Sequence, residues 1–171
     1  MKIRKFYTIS FTGHRPKGLP WGYNESLPSC LKFKQYIKNL LTTKIGEGYT
    51  YFIVGMALGI DIIVAEILLE LKEEYDITIE CAIPCLNQEI KWIKSQQIRY
   101  KNILSKCDKT TYVSKSEYNS TCMQKRNKYM VDNCDLLIAV WNGLPSGTLN
   151  TINYAKSKDI NTIIIDINNF S

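Results

Sequence analysis

The sequence predicts a single doubly wound α/β domain over residues 1–171, a mostly parallel sheet with helices on both faces. Three observations predict it. Short runs rich in β-branched and aromatic residues alternate with segments of helical period, a pattern that calls for right-handed crossovers. One run, Leu136-Leu137-Ile138-Ala139-Val140-Trp141, is almost unbroken in apolar character, as a strand covered on both faces should be. Three strand-like runs also lead into short polar loops: Thr12-Gly13-His14-Arg15-Pro16, Gly55-Met56-Ala57-Leu58-Gly59-Ile60-Asp61 and Ser146-Gly147-Thr148. In a parallel sheet such loops gather along one edge, where ligands bind.

Phe6-Tyr7-Thr8-Ile9-Ser10-Phe11 reads as the first strand and ends in Thr-Gly. A loop with Pro16, Gly18, Pro20, Gly22 and Pro28 leads into a helix over about 29–45. Phe33, Tyr36, Ile37, Leu40 and Leu41 form its apolar stripe, and Gly46 and Gly48 end it. Tyr51-Phe52-Ile53-Val54 is the second strand, stopped by Gly55. Ile60, Ile63, Val64, Ile67, Leu68 and Leu71 then recur at the spacing of a helix face, the clearest periodicity in the chain. The third strand, Ile77–Ile83, is halted by Pro84, and a helix over about 87–105 follows. Lys109-Thr110-Thr111-Tyr112-Val113 is a short fourth strand. Thr121 stands where it would cap a helix ending near Asp132. After the strand Leu136–Trp141, a last helix starts at Gly147 with Leu149, Ile152 and Ala155 inward, and Asn161–Asp166 closes the sheet.

With 45% hydrophobic and 22% charged residues, the chain can bury a substantial core. No run of about 18 uncharged apolar residues exists, so no membrane span is expected. Met1-Lys2-Ile3-Arg4-Lys5 enters the first strand without a signal-peptide apolar region, and a cytoplasmic location is the expectation. The six cysteines (Cys30, Cys81, Cys85, Cys107, Cys122, Cys134) form no CxxC pair, and four lie in or beside apolar runs. With one histidine present, their spacing suits no usual zinc arrangement, and no metal is expected. A net charge of +6 favours anionic partners, although the basic residues are dispersed rather than clustered.

The polar loops carry the candidate chemistry. Gly55 and Gly59 allow a tight turn and the close approach of a ligand, and Gly55-Met56-Ala57-Leu58-Gly59 opens a helix whose N–H groups can meet an anion. Asp61 in the first turn would repel a phosphate, so it either accepts from a ribose hydroxyl, pairs with an arginine across the crevice, or simply complements the helix dipole. Ser146-Gly147-Thr148 suits a phosphate better, since no acidic residue follows it; an ordinary helix cap is the alternative. Gly13-His14-Arg15 offers the chain's single histidine, as acid, base or donor, and an arginine suited to phosphate or carboxylate. Arg126 and Asn127 fall on the apolar face of their helix with Met123 and Met130. There they must meet a ligand, a buried carboxylate such as Asp132 or Asp135, or an internal salt-bridge network. Gln88 and Trp92, one helical turn apart after Pro84, either frame a base or pack beneath the loop.

Taken together, these segments resemble the YpsA-like (DUF1273) members of the SLOG superfamily, a Rossmann-like group that includes the DNA-processing protein DprA and the cytokinin-activating LOG enzymes. The stretches that carry the resemblance are Thr12–Pro16, Gly55–Asp61, Ala82-Ile83-Pro84-Cys85 with Gln88 and Trp92, Arg126-Asn127 with Met130-Val131-Asp132, and Asp135–Trp141 followed by Gly147-Thr148. They span nearly the whole chain in family order. The resemblance implies a Rossmann-like fold and a pocket for a nucleotide or an ADP-ribose-like ligand, with Asp135 among the site residues and no further cofactor. It also makes a homodimer reasonable. Two departures stand out: Pro145-Ser146-Gly147-Thr148 replaces the usual Gly-Gly-Thr, and Cys85 stands where an aromatic is usual. LOG enzymes carry a glutamate after the phosphate loop, whereas Leu149-Asn150-Thr151-Ile152 follows here. The leading expectation is therefore a nucleotide-binding or sensing protein. N-glycosidic hydrolysis of nucleoside 5′-monophosphates, with Asp61 or Glu89 substituting, and DprA-like single-stranded nucleic-acid binding are the alternatives.

Overall fold

The reversal of strand order around the first strand is what positions the site. In the computed structural model, which describes residues 6–171, β1 (Tyr7–Gly13), β2 (Tyr49–Val54), β3 (Thr78–Ile83), β4 (Lys109–Tyr112), β5 (Leu136–Trp141) and β6 (Asn161–Asp166) form one parallel sheet. The spatial order is β4-β3-β2-β1-β5-β6. The first four strands march outward, and the chain then returns to pair β5 on the free side of β1. The Rossmann-like α/β architecture is thus as expected. Residues 1–5, including Lys2, Arg4 and Lys5 and the expected lack of a signal-peptide core, lie outside the described residues.

Five helices connect the strands: α1 (Pro28–Gly46), α2 (Ile60–Lys72), α3 (Lys94–Lys106), α4 (Cys122–Asp132) and α5 (Gly147–Ser157). Right-handed crossovers in opposite directions put α1, α2 and α3 side by side on one face, and α4 with α5 on the other. The main core lies under the first three, with Ile9, Phe11, Phe33, Ile37, Phe52, Ile63 and Leu68 buried together. Because α2 is flanked by α1 and α3, nine of its thirteen residues are buried, including Asp61. Every residue of β5 except Trp141 is buried, which explains its continuous apolar run. The register matches Thr12 to Ala139 and Gly13 to Val140, so β1 and β5 end level and their loops emerge side by side. Among the described residues, no helix is long and apolar enough to cross a membrane.

Some boundaries differ from the sequence reading. The helix expected from about 87 begins at Lys94. Asn87 takes a left-handed φ of 59°, and successive turns close between Asn87 and Ile90 and between Glu89 and Trp92. Ile90 and Ile93 are exposed there, so no apolar stripe holds the segment helical. Tyr36 is exposed and meets Phe170 edge-on at 5.4 Å, while Leu40 and Leu149 are half-buried. Thr121 occupies the cap position of α4 without capping it, because its hydroxyl donates to Asn119 Oδ1 at 3.0 Å. Pro28 stands in the first turn of α1, where its missing N–H leaves no bond unmade.

Candidate functional site

Where the β1 and β5 loops diverge, a crevice of about 330 Å³ opens, walled by Gly13, His14, Arg15 and Gly18 on one side and by Ser146, Gly147 and Thr148 on the other. Ala57 and Asp61 from the β2–α2 connection and Met123, Arg126 and Asn127 from α4 complete it. The three polar loops thus converge on one hollow, together with the polar face of α4.

Its floor is ionic. Asp61 and Arg126 are 7% and 4% exposed, and both reach over Gly55. The guanidinium donates to the Gly55 carbonyl through Nη1 and to Asn127 Oδ1 through Nε at 2.9 Å. Asp61 Oδ2 accepts from the Ala57 N–H at 3.2 Å. Burial pushes the Asp61 carboxyl up, against the pull of Arg126, the Ala57 N–H and Arg15. Burial likewise lowers the Arg126 pKa while Asp61 opposes it; a guanidinium nevertheless stays charged. Of the carboxylates considered for Arg126, neither Asp132 nor Asp135 is the one it faces. Asp132 accepts from the Tyr154 hydroxyl at 2.8 Å. Asp135 precedes β5 at the opposite end of the sheet, where its Oδ2 accepts from the Thr8 N–H at 2.8 Å, so the structure does not bring it to the crevice.

The N-termini of α2 and α5 at this edge are not equivalent. The first N–H of α2, from Ile60, donates to the His14 carbonyl at 3.2 Å, and Asp61 sits in its first turn. That end is already occupied by protein. At α5, the Ser146 hydroxyl accepts from Leu149 at 3.3 Å, so Ser146 caps the Leu149 N–H and not those of Gly147 and Thr148, two residues that line the crevice. No acidic residue stands in the first turn of α5, so of these two termini it is the one able to receive an anion. Arg15 is exposed, its side chain makes no hydrogen bond or ion pair among the described residues, and it lines the same hollow.

Two further recesses adjoin the crevice. A mainly apolar cleft of about 480 Å³ shares Arg15, Ala57 and Met123 with it and is lined by Leu58, Leu86, Gln88, Ile90, Trp92 and Tyr118. Trp92 packs edge-on against Tyr100 at 5.3 Å, and Gln88 donates to the Met56 carbonyl at 3.2 Å. Gln88 and Trp92 therefore share a wall, through turns rather than a helix face. On the other flank, an amide-rich groove between α4 and α5 shares Met123, Asn127 and Gly147. Pro84 is buried just past the end of β3, and neither it nor Glu89 lines the central crevice. Met123, Tyr118, Leu86 and Gly18 were not among the site residues expected from the sequence. Met123 alone carried a signal, being on the same face of α4 as Arg126.

The YpsA family model, described as the YspA SLOG family, matches residues 9–169. The chain belongs to that family. It is 32% identical to the SPbeta prophage-derived protein YoqJ of Bacillus subtilis (strain 168) over 142 residues, covering 75% of this chain and 83% of that protein. A UPF0398 protein of Bacillus cereus (strain G9842) is 30% identical over 135 residues, covering 78% and 73%. Among solved structures, the fold resembles DNA processing protein A from Helicobacter pylori, described for its single-stranded DNA binding mode. There the TM-score is 0.64 and the identity 17%, over 95% of this chain and 70% of that one. DNA processing protein A (DprA) from Streptococcus pneumoniae gives a TM-score of 0.62 at 16% identity, over 94% and 50%. At these identities the likeness shows the fold.

Proposed function

We propose that this SLOG protein binds a nucleotide or nucleotide-derived ligand, with the phosphate between Arg15 and the α5 N-terminus and the base in the apolar cleft beside Trp92. Family membership supports nucleotide or nucleic-acid binding as the broad class. The finer reading rests on one observation: an arginine side chain with no hydrogen bond and the first residues of α5 line one hollow, which shares Arg15, Ala57 and Met123 with a cleft lined by Trp92 and Tyr118. A phosphate ester of a flat heterocycle has this division of chemistry.

Hydrolysis of an N-glycosidic bond is less well supported. The crevice contains one carboxylate, Asp61, and it is buried, bonded to Ala57 and set against Arg126. Asp61 Oδ1 keeps a free lone pair, but among the described residues no second carboxylate lines the crevice to protonate a departing base. Binding of single-stranded DNA, named for the Helicobacter pylori protein, is the second reading; the net charge of +6 and the groove with Lys128 favour it.

Calorimetric titration of the protein with AMP, ADP, ADP-ribose and an oligonucleotide tests these readings. One of the mononucleotide or diphosphate ligands should bind, and Arg15→Ala should weaken it by about tenfold with the melting temperature unchanged, as for loss of a charge-assisted contact. Failure of the whole small-ligand panel, with an oligonucleotide bound in a steeply salt-dependent manner, would replace the first reading by the second.

A further inference from the structure

His14 is the chain's single histidine, and its two ring nitrogens have different surroundings. Nε2 lies 3.0 Å from the backbone nitrogen of Asn142, just past β5, and receives that N–H. A backbone amide only donates, so Nε2 must present its lone pair and the ring proton must reside on Nδ1. The Asn142 side-chain carbonyl, which would favour a charged ring, instead accepts from the Leu144 N–H at 3.0 Å. Burial lowers the His14 pKa, with the Asn142 side chain opposing. The other elements packed on the ring add no bond to it. Gly18 of the short turn Pro16–Gly18 stands so close that a Cβ there would come 2.8 Å from His14 Cβ and 3.2 Å from Nδ1. At α2, Ile60 touches His14 only through the backbone. Arg15, Asp61 and Arg126 are the charged groups of the same crevice, and none makes a hydrogen bond or ion pair with the imidazole. Nδ1 has no hydrogen-bond partner among the described residues and is not sealed from solvent, and His14 lines the crevice.

We propose that His14 is a positioning residue, locked as the neutral Nδ1–H tautomer, which offers a fixed donor to an acceptor oxygen of the ligand and takes no part in proton transfer. The tautomer follows from the fold alone, whereas the contact with ligand oxygen rests on the nucleotide-binding reading. The lock joins β1 to the loop after β5, so the ring that reads the ligand also ties together the two loops flanking the switch point.

Because there is one histidine, long-range proton–nitrogen correlation spectra of the labelled full chain give a single imidazole pattern. A protonated Nδ1, a lone-pair Nε2 and a titration midpoint below the ordinary value of about 6.5 are expected without any ligand. An Nε2–H tautomer, or a midpoint at or above that value, overturns the proposal whether or not a nucleotide binds. The contact is tested with the nucleotide that binds best. His14→Asn keeps an amide donor near the Nδ1 position, and His14→Gln keeps an acceptor near Nε2. The donor role predicts that Asn holds affinity within about threefold while Gln loses about tenfold, with melting curves confirming that both fold. The reverse ranking would make His14 a loop tie only and refute the contact. If the tautomer is found but the wild-type chain binds none of the nucleotides, the nucleotide-binding reading fails together with the contact that rests on it, while the lock stands.

Discussion

Replacing Asp61 by Asn removes one charge from the crevice floor while keeping its shape and its acceptor for the Ala57 N–H. What it leaves is a guanidinium 4% exposed with no counter-charge at its side. Removing one partner of a buried contact pair typically costs about 3–5 kcal/mol, but Asp61 and Arg126 share no hydrogen bond or ion-pair contact, and the raised Asp61 carboxyl means that its burial outweighs the attraction. Arg126 also retains two acceptors, Gly55 O and Asn127 Oδ1, so a cost under about 1 kcal/mol is expected. At a urea slope of about 2 kcal/mol per molar, the unfolding midpoint should move by under about 0.5 M. Arg126→Met behaves differently, because an unpartnered aspartate can take up a proton. Burial already raises the Asp61 carboxyl, and losing Arg126 raises it further. A raised folded-state pKa means that the native state binds the extra proton. Stability of Arg126→Met should therefore be highest below the unfolded value of about 3.9 and fall as pH rises through the folded one. Asp61→Asn lacks the titrating carboxyl altogether, so its stability relative to wild type should rise with pH. Urea titrations at several pH values read both effects. A cost above about 2 kcal/mol for Asp61→Asn, or an Arg126→Met penalty equal at pH 5 and pH 8, would refute this account.

Glu80, 2% exposed in β3, accepts from the hydroxyls of Thr111, Tyr129 and Tyr51 at 2.6, 2.7 and 2.9 Å. Burial pushes its carboxyl up, but these donors and Lys109 together hold it below the ordinary range. Its stabilisation is then present above the unfolded value of about 4.3 and lost as pH falls through the folded one; Glu80→Gln should cost about 2 kcal/mol at pH 7 in urea unfolding, with the gap to wild type closing in acid. Gly59 has φ 95°, and a Cβ there would overlap the His14 carbonyl, so Gly59→Ala should cost about 3 kcal/mol. Gly147 has open space around it, and Gly147→Ala should shift stability by under about 1 kcal/mol in the same assay. Trp92→Ala should weaken the bound nucleotide about tenfold by calorimetry yet leave inorganic pyrophosphate unaffected, since only the base is proposed to touch the cleft.

The strands could be read from the sequence because burial on both faces forces continuous apolar runs, and β5 is the plainest case. The start of α3 could not: residues 87–93 contain Ile90 and Ile93 at an apparent helical spacing, but both face solvent, and only the left-handed Asn87 marks the turn. Arg126 was visible as a charge on an apolar stripe. An arginine across the crevice from Asp61 is one reading of the loop, but that Arg126 is the one beside it depends on how α4 crosses the end of β2, a long-range fact that periodicity does not carry. Asp135 shows the opposite failing. A residue that precedes a parallel strand lies at the strand's amino end, so the topology alone removes it from the carboxyl edge, although its place in a family-ordered stretch grouped it with the site.

The small residues of the first two loops have a different physical cause from the one the sequence suggested. A Cβ on Gly13 would collide with Ile60, one on Gly55 with Arg126 and Asp61, and one on Gly59 with the His14–Arg15 backbone. The close approach that these glycines permit is therefore chain against chain. It lets α2 start against β1, and it lets a buried arginine cross the end of β2. The arrangement consumes the α2 N-terminus, since Ile60 donates to His14 and Asp61 fills the first turn. Of the α2 and α5 ends, only that of α5 is then left to meet an anion. In the proposed binding mode, with a phosphate at α5 and its ester toward Arg15 and the cleft beyond, the glycines act on ligand binding indirectly, by fixing which of two similar loops remains free.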